Sequence, residues 1–266
     1  MSTEYPGVFP AKRKDQTPYY RASLTYQNKH ISLGSYSTPE AAHAAYLEGC
    51  MLLRDRRLSL LQYQKDTHVL SFEKWVILIN FRDNNIYIAT PIYVRKNYLE
   101  YYFNPRSYLL FDAEDLFYYS SHKIIRRGGH MFVNEYGMQF NILNRYGIHS
   151  FSVVDRDYRF INGNRNDFRY ENIEILSPYH GVYPVREKNK TLYQAKIHIH
   201  GDYLIGKYPT IEEAAIAYNK AVDILKKAGV NRQYMQNYID GLSPATYAEI
   251  YTNCKISDKI LHYFSE

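Results

Sequence analysis

The chain carries an internal duplication. Tyr5-Pro6-Gly7-Val8-Phe9-Pro10 is answered by Tyr179-His180-Gly181-Val182-Tyr183-Pro184, and Tyr20-Arg21-Ala22-Ser23-Leu24 by Tyr193-Gln194-Ala195-Lys196-Ile197. Leu33-Gly34-Ser35-Tyr36-Ser37-Thr38 then faces Ile205-Gly206-Lys207-Tyr208-Pro209-Thr210, and Ala42-His43-Ala44-Ala45-Tyr46 faces Ala214-Ala215-Ile216-Ala217-Tyr218. Four blocks in one shared order mean that a single supersecondary unit is used twice. From Tyr5 to Tyr46 the first copy is two residues longer than the second is from Tyr179 to Tyr218. The differences fall at 12–18 and 27–30, where turns are expected and indels cost least.

Each copy reads as three strands and a helix. In the first, Ala22 and Leu24 alternate with Arg21, Ser23 and Thr25. In the second, Ala195, Ile197 and Ile199 alternate with Gln194, Lys196 and His198. A period of two gives each central strand one apolar face for a helix and one wet face. Ser37 or Thr38 is placed to cap the first helix, with Pro39 in its first turn, and Thr210-Ile211-Glu212-Glu213 has the form of a capping box. The alanine-rich stripe lets each helix lie close to its sheet. The second helix is expected to end near Gly229, after Lys226 and Lys227.

These residues carry a resemblance. Gly7-Val8, an aromatic-x-Ala-x-aliphatic strand, Leu33-Gly34-x-Tyr36 and Ala41-Ala42-x-Ala44-Ala45-Tyr46 resemble the Apetala-two/ethylene-response-factor DNA-binding domain, and the second copy resembles it equally. The resemblance implies that the wet face of the sheet enters the DNA major groove, which is wide enough to accept β-structure. Carried over position by position, it implies base-facing roles for Phe9, Ser23, Thr25, His30 and Ser32 in one copy, and for Tyr183, Lys196, His198, Asp202 and Leu204 in the other. Strand alternation adds Arg21 and Gln194. The plant members of that family place several arginines and tryptophans at these positions and this chain does not, so no base preference is transferred. Lys12, Arg13 and Lys14 in one turn, with Arg186, Lys188 and Lys190 in the other, are placed to meet phosphates, a contact that positions without specifying.

The middle of the chain carries no repeat but contains Arg159-Phe160-Ile161-Asn162-Gly163-Asn164-Arg165-Asn166-Asp167-Phe168-Arg169-Tyr170-Glu171-Asn172-Ile173. This resembles the core of HNH homing endonucleases, whose pattern runs Asp-His-Ile-Asn-Gly-Asn, then Asn-Arg, then Glu-Asn-Leu. That chemistry needs an imidazole to activate water and oxygen ligands to hold a divalent metal. Here Arg159-Phe160 stands where the pattern has Asp-His, and Phe168 where it has Asn. Asn172 is retained, with Asp155, Asp157 and Asp167 nearby. His149 and His130 lie upstream, outside the motif. The expectation is a retired nuclease fold in which Phe160 and Phe168 fill the emptied site, with no metal and no cofactor. Arg159, Arg165 and Arg169 are left with either a DNA-touching or a structural role.

The expected fold class is therefore α+β, with two sheet-plus-helix modules (1–66 and 179–230) flanking a degenerate ββα HNH-like domain (67–178) and followed by a C-terminal helical segment (231–266). Within the middle, 70–93 reads as a hairpin turning at Asp83-Asn84-Asn85, and 112–119 as a short helix. Near the end, helices are expected from Ser243-Pro244 through Glu249 and over 256–264. Tyr247, Ile250, Tyr251, Ile260 and Tyr263 would pack on the body or on a second subunit.

Composition adds little beyond this. A net charge of +6 favours an anionic partner. Cys50 and Cys254 are too isolated for a disulfide framework or a thiolate zinc site and are read as buried thiols. The 30 tyrosines are read as the mark of an A+T-rich coding sequence, not as stacking platforms. No stretch approaches the roughly 18 apolar residues of a membrane span, and the first residues lack a signal-peptide pattern, so a cytoplasmic, nucleoid-associated location is expected. The functional expectation is a non-enzymatic, sequence-specific double-stranded DNA binder, a transcriptional regulator derived from a homing endonuclease. The alternatives are an active HNH-type endonuclease with an altered site and a phage or mobile-element protein-binding inhibitor.

Overall fold

The structure, a computed structural model, describes residues 5–149, 152–188 and 190–263. The protein is a mixed α+β chain built on small antiparallel sheets, and it divides into two compact units. Met1–Ile142 with Asn164–Asn172 form one, and Leu143–Gly163 with Ile173–Glu266 form the other.

The first unit begins with β1 (Val8–Lys12), β2 (Pro18–Tyr26) and β3 (Lys29–Tyr36), an antiparallel sheet with β2 in the centre. Gln27 and Asn28, both at positive φ, make the two-residue turn between β2 and β3, as the twist of a hairpin favours. Helix α1 (Pro39–Arg54) follows, its first turn capped by Thr38, whose hydroxyl accepts the Ala41 N–H at 3.2 Å. Ala22, Leu24, Ile31 and Leu33 bury their side chains against Ala42, Ala45 and Leu52. The approach is close enough that a Cβ on Gly49 would lie 2.9 Å from Leu24.

Residues 72–84 are a helix, α2 (Phe72–Asn84), where a hairpin was expected. The run Trp75-Val76-Ile77-Leu78-Ile79-Asn80-Phe81-Arg82 is buried on every side, so it shows no period by which helix and strand differ. Ser71 accepts the Lys74 N–H as an N-cap, and Asn85 ends the helix in the left-handed conformation at φ 56°. The expected turn at 83–85 is thus the helix terminus. α2 lies on α1, and one apolar core runs from Val8 and Ala22 through Leu52 to Trp75, Leu78, Phe81 and Tyr102. Arg82, 3% exposed, donates to the carbonyls of Leu52 and Asp55, which the end of α1 leaves open, and to that of Leu58 in the segment that follows.

The unit continues with β4 (Ile92–Val94), β5 (Tyr98–Asn104) and β6 (Ser107–Asp112), then the short α3 (Leu116–Ser121), then β7 (Ile125–Arg127), β8 (His130–Glu135) and β9 (Met138–Asn141). The 164–172 segment docks on β6. Leu110 N–H donates to Asn166 O, Phe168 N–H donates to Leu110 O, and the Phe168 ring packs on Phe111.

The second unit holds the two-stranded pair β10 (Tyr158–Phe160) and β11 (Ile173–Ile175), then β12 (Val182–Glu187), β13 (Lys190–His198), β14 (Asp202–Tyr208) and α4 (Ile211–Lys227). α4 stops two residues before Gly229. Thr210 accepts the Glu213 N–H at 3.2 Å. Two further helices, α5 (Pro244–Asn253) and α6 (Asp258–Leu261), pack on α4. α5 runs beyond the expected Glu249, and α6 is a single turn where 256–264 was expected; Phe264 lies outside the described residues. Ile256 and Ile260 are buried in the core of this unit with Tyr247, Ile250, Tyr251 and Tyr263 packed on it, so these side chains face the chain's own body.

The two copies share details finer than their element order. Both have a register shift at the same place: Ala22 pairs with Gly34 but Ser23 with Ser32, and Ala195 pairs with Gly206 but Lys196 with Leu204. The extra residues, Leu33 and Ile205, are buried. Gly7 and Gly181, at φ 75° and 69°, are equally constrained, because a Cβ on either would overlap the ring of Tyr46 or Tyr218. Both glycine carbonyls accept from the residue just after the shift, Ser23 N–H at 3.0 Å and Lys196 N–H at 2.7 Å. The repeated letters are therefore repeated contacts.

The HNH-like stretch does not form the expected ββα unit. β10 and β11 bracket a loop with one 3-10 turn, Tyr170–Asn172, and no α-helix lies between α3 and α4 among the described residues. The retained polar residues hold loop geometry instead: Asn172 Nδ2 donates to Asp167 O at 2.8 Å, and Asn164 Oδ1 accepts the Asn166 N–H at 3.0 Å. Cys50 and Cys254 are free and half-buried, not fully buried as expected.

Candidate nucleic-acid interface

Residues directly opposite in an antiparallel pair point to the same face, so the register identifies each outer surface. On the first sheet Phe9 faces Arg21, Ser23 faces Ser32, and Thr25 faces His30. With Ala22, Leu24 and Ile31 turned into the core, these six lie on the side away from α1. Phe9, Arg21, Thr25, His30 and Ser32 are exposed, Phe9 at 49%. Ser23 is 7% exposed. Lys12, Arg13 and Lys14 are exposed at the end of β1 and in the turn that follows, where Gln16 takes φ 63°.

On the second sheet Tyr183 faces Gln194, Lys196 faces Leu204, and His198 faces Asp202. Arg186, Lys188 and Lys190 are exposed around the β12–β13 turn, with Lys188 at φ 44°. At the far end of the face His198 Nδ1 lies 2.7 Å from the Asp202 carboxylate, and this contact holds the Asp202 carboxyl below its usual range.

The second face is concave. A cleft of about 550 Å³ is bounded by Tyr183, Gln194, Lys196, His198 and Asp202 on the sheet, and by His149, Ser152, Arg156 and Asp157 opposite. The Arg156 guanidinium sits 4.8 Å over the Tyr183 ring and pairs with Asp157 at 2.9 Å. The 152–157 turn is fixed by its own hydrogen bonds, with Val153 N–H donating to the Asp157 carboxylate at 2.7 Å and Asp157 N–H to Val153 O at 2.9 Å. His149 stacks on His180 at 4.6 Å, and burial, then the neighbouring His149, lowers the His180 pKa. Burial also pushes the Tyr183 phenol up. Sequence alone does not assign Arg156 or Asp157 to this surface, since both are far from β12–β14 along the chain and carry no motif.

The nuclease-like residues are spread between the two units. Phe168, 2% exposed, is core material in the first. Phe160, 7% exposed, lies in β10 of the second, with its ring 5.8 Å from Tyr158. Arg159 is paired with Glu174, and Arg169 with Asp167 and Glu171. His130 is exposed at the start of β8, and His149 belongs to the cleft. Among the described residues no group of three or more His, Cys, Asp or Glu is placed to hold a metal ion, and no helix is long and apolar enough to cross a membrane. No family model, curated protein or solved structure matches the chain.

Proposed function

We propose that this protein is a sequence-specific double-stranded DNA-binding protein that reads the major groove with the outer faces of its two duplicated sheets. In this reading it is a regulator descended from a homing endonuclease, with an Apetala-two-like module on either side of a retired HNH core. One observation carries the proposal. The same bulged three-stranded sheet occurs twice, and each copy turns its equivalent polar positions away from the helix. A sheet packed on one helix needs only its inner face for folding, so the side chains of the outer face are available for contact. On the first sheet they are Arg21, Thr25, His30 and Ser32 beside the aromatic Phe9, with a basic turn at their margin. That combination suits hydrogen bonding to base edges with positioning on phosphates.

Two modules on one chain raise the effective concentration of the second once the first is bound. The burial of Phe168, where an HNH nuclease carries a polar residue, supports binding without cleavage. Selection from a random duplex library with the purified chain and Mg²⁺, with the same DNA checked for nicks, tests the proposal. An enriched and uncut sequence is expected. No enrichment at low salt would sink DNA recognition, and cutting at a fixed position would restore the nuclease.

A further inference from the structure

The two outer faces are not equally accessible. At equivalent positions Phe9 and Arg21 are exposed, whereas Tyr183 and Gln194 are half-buried, although the sheets share register and bulge. The difference arises from residues outside the repeat. Arg156 covers the Tyr183 ring, and Asp157 stands beside it across the cleft from Lys196. The charges there are already answered from within: Arg156 pairs with Asp157, and Asp202 hydrogen-bonds His198 and lies within electrostatic reach of both Lys196 and Arg156. A phosphate entering the cleft would meet the carboxylates of Asp157 and Asp202 as well as the cations. The cleft is thus poorly suited to hold an anion and well suited to hold its own wall.

We propose that the 152–157 segment is a built-in cap on the second sheet, so that DNA is engaged first through the first sheet and the second reads bases only after the cap is displaced. The inference rests on the DNA-binding reading above. The cap meets the sheet through the exchangeable Arg156–Tyr183 stack; its own Arg156–Asp157 pair and Val153–Asp157 hydrogen bonds shape it, and Asp157 O, which accepts the Leu176 and Ser177 N–H groups at 2.8 and 3.1 Å, anchors its end. Tyr183 and Gln194 are the shielded readers, while Leu204 and the cleft-lining His198 and Asp202 remain exposed. Closure of this kind makes the second half-site conditional on the first, because the local concentration of DNA must be high enough to compete with an intramolecular partner.

The test is hydroxyl-radical footprinting of the full chain on the duplex it selects, comparing the unchanged protein with Arg156→Ala. The unchanged protein at low occupancy should protect one tract. Arg156→Ala should protect a second tract at the same concentration and bind about threefold to tenfold more tightly, the range that loss of one such stacked cation allows. Two tracts of equal protection in the unchanged protein, unaltered by Arg156→Ala, would overturn the cap. Should circular dichroism show Arg156→Ala misfolded, hydrogen exchange across 152–157 in the unchanged protein decides. Faster exchange on saturation with the selected duplex supports displacement, and unchanged exchange with both tracts protected rejects it. If neither protein protects any tract on any duplex at low salt, the DNA-binding reading itself has failed, an outcome distinct from two tracts at once.

Discussion

Glu48 on α1 accepts the indole N–H of Trp75 on α2 at 2.6 Å, and the same carboxylate accepts the Val69 and Leu70 N–H groups at 2.8 and 3.0 Å, with His68 Nδ1 at 3.1 Å. One acidic side chain thus fastens the chain leaving the first module back onto the module's helix. Glu48→Ala strands buried donors, each costing about 1–3 kcal/mol. The expected loss is about 2–4 kcal/mol, read as a lower denaturant midpoint for the first unit. Glu48→Gln should fall between that and the unchanged protein. An unaltered midpoint for Glu48→Ala would mean that the carboxylate is dispensable.

The duplicated glycines allow a paired experiment. Gly7→Ala and Gly181→Ala each force a side chain into the left-handed region and into the ring of Tyr46 or Tyr218. Strain of about 1–3 kcal/mol is expected at each site, in addition to the overlap. Near-equal losses of melting temperature, with each substitution destabilising its own unit, would show that the two copies are energetically equivalent. Harmlessness at either position would contradict the contact.

Substitutions on the first sheet should separate reading from positioning. Arg21→Ala is expected to relax preference among bases, costing about 1–3 kcal/mol on the selected duplex and little on others. Lys12→Ala should weaken all duplexes alike and reduce the salt slope by about one unit. Titrations of both variants against selected and scrambled duplexes at several salt concentrations decide the matter, and the reverse pattern would invert the assignment of face and margin.

Acid should weaken the second unit. His180 is half-buried and its pKa is lowered, by burial first and His149 second, so the unfolded chain binds a proton before the folded one does. The contribution of His180 to stability is therefore constant above the unfolded value near 6.5 and declines as pH falls below it, until His180 is protonated in the folded state as well. Denaturation at pH 7.5 and 5.5 should show this loss, and His180→Asn should remove most of it. Equal midpoints at both pH values in the unchanged protein would rule out a buried neutral imidazole.

What the sequence revealed and what it hid differ for physical reasons. The strands and helices of the repeat were legible because Ala22, Leu24, Ala195 and Ile197 keep a period of two, and because Thr38 and Thr210 stand where caps belong. α2 was not, since a helix buried on all sides loses the periodicity that identifies a surface helix. The HNH-like letters promised a helix, but Asn172 and Asn164 act locally as loop ties. Alternation put Arg21, Ser23, Thr25, Gln194, Lys196 and His198 on the outer faces, whereas Phe9, His30, Ser32, Tyr183, Asp202 and Leu204 rest on the family resemblance alone. The Arg156–Tyr183 contact follows from neither, because it depends on where two distant segments meet.

The coverings of α1 and α4 bear on how such a chain can be rebuilt. α1 is roofed by α2, whereas α4 is roofed by α5 and α6, and Asn219 of α4 exchanges hydrogen bonds with the backbone of Asn237, which in turn holds the backbone of His180. Each copy is thus finished by a different neighbour recruited from outside the repeat. Swapping the bare repeats would expose Leu52 and Trp75 in one place and Ile239 and Ile260 in the other. The exchangeable cassette is thus the module together with its lining.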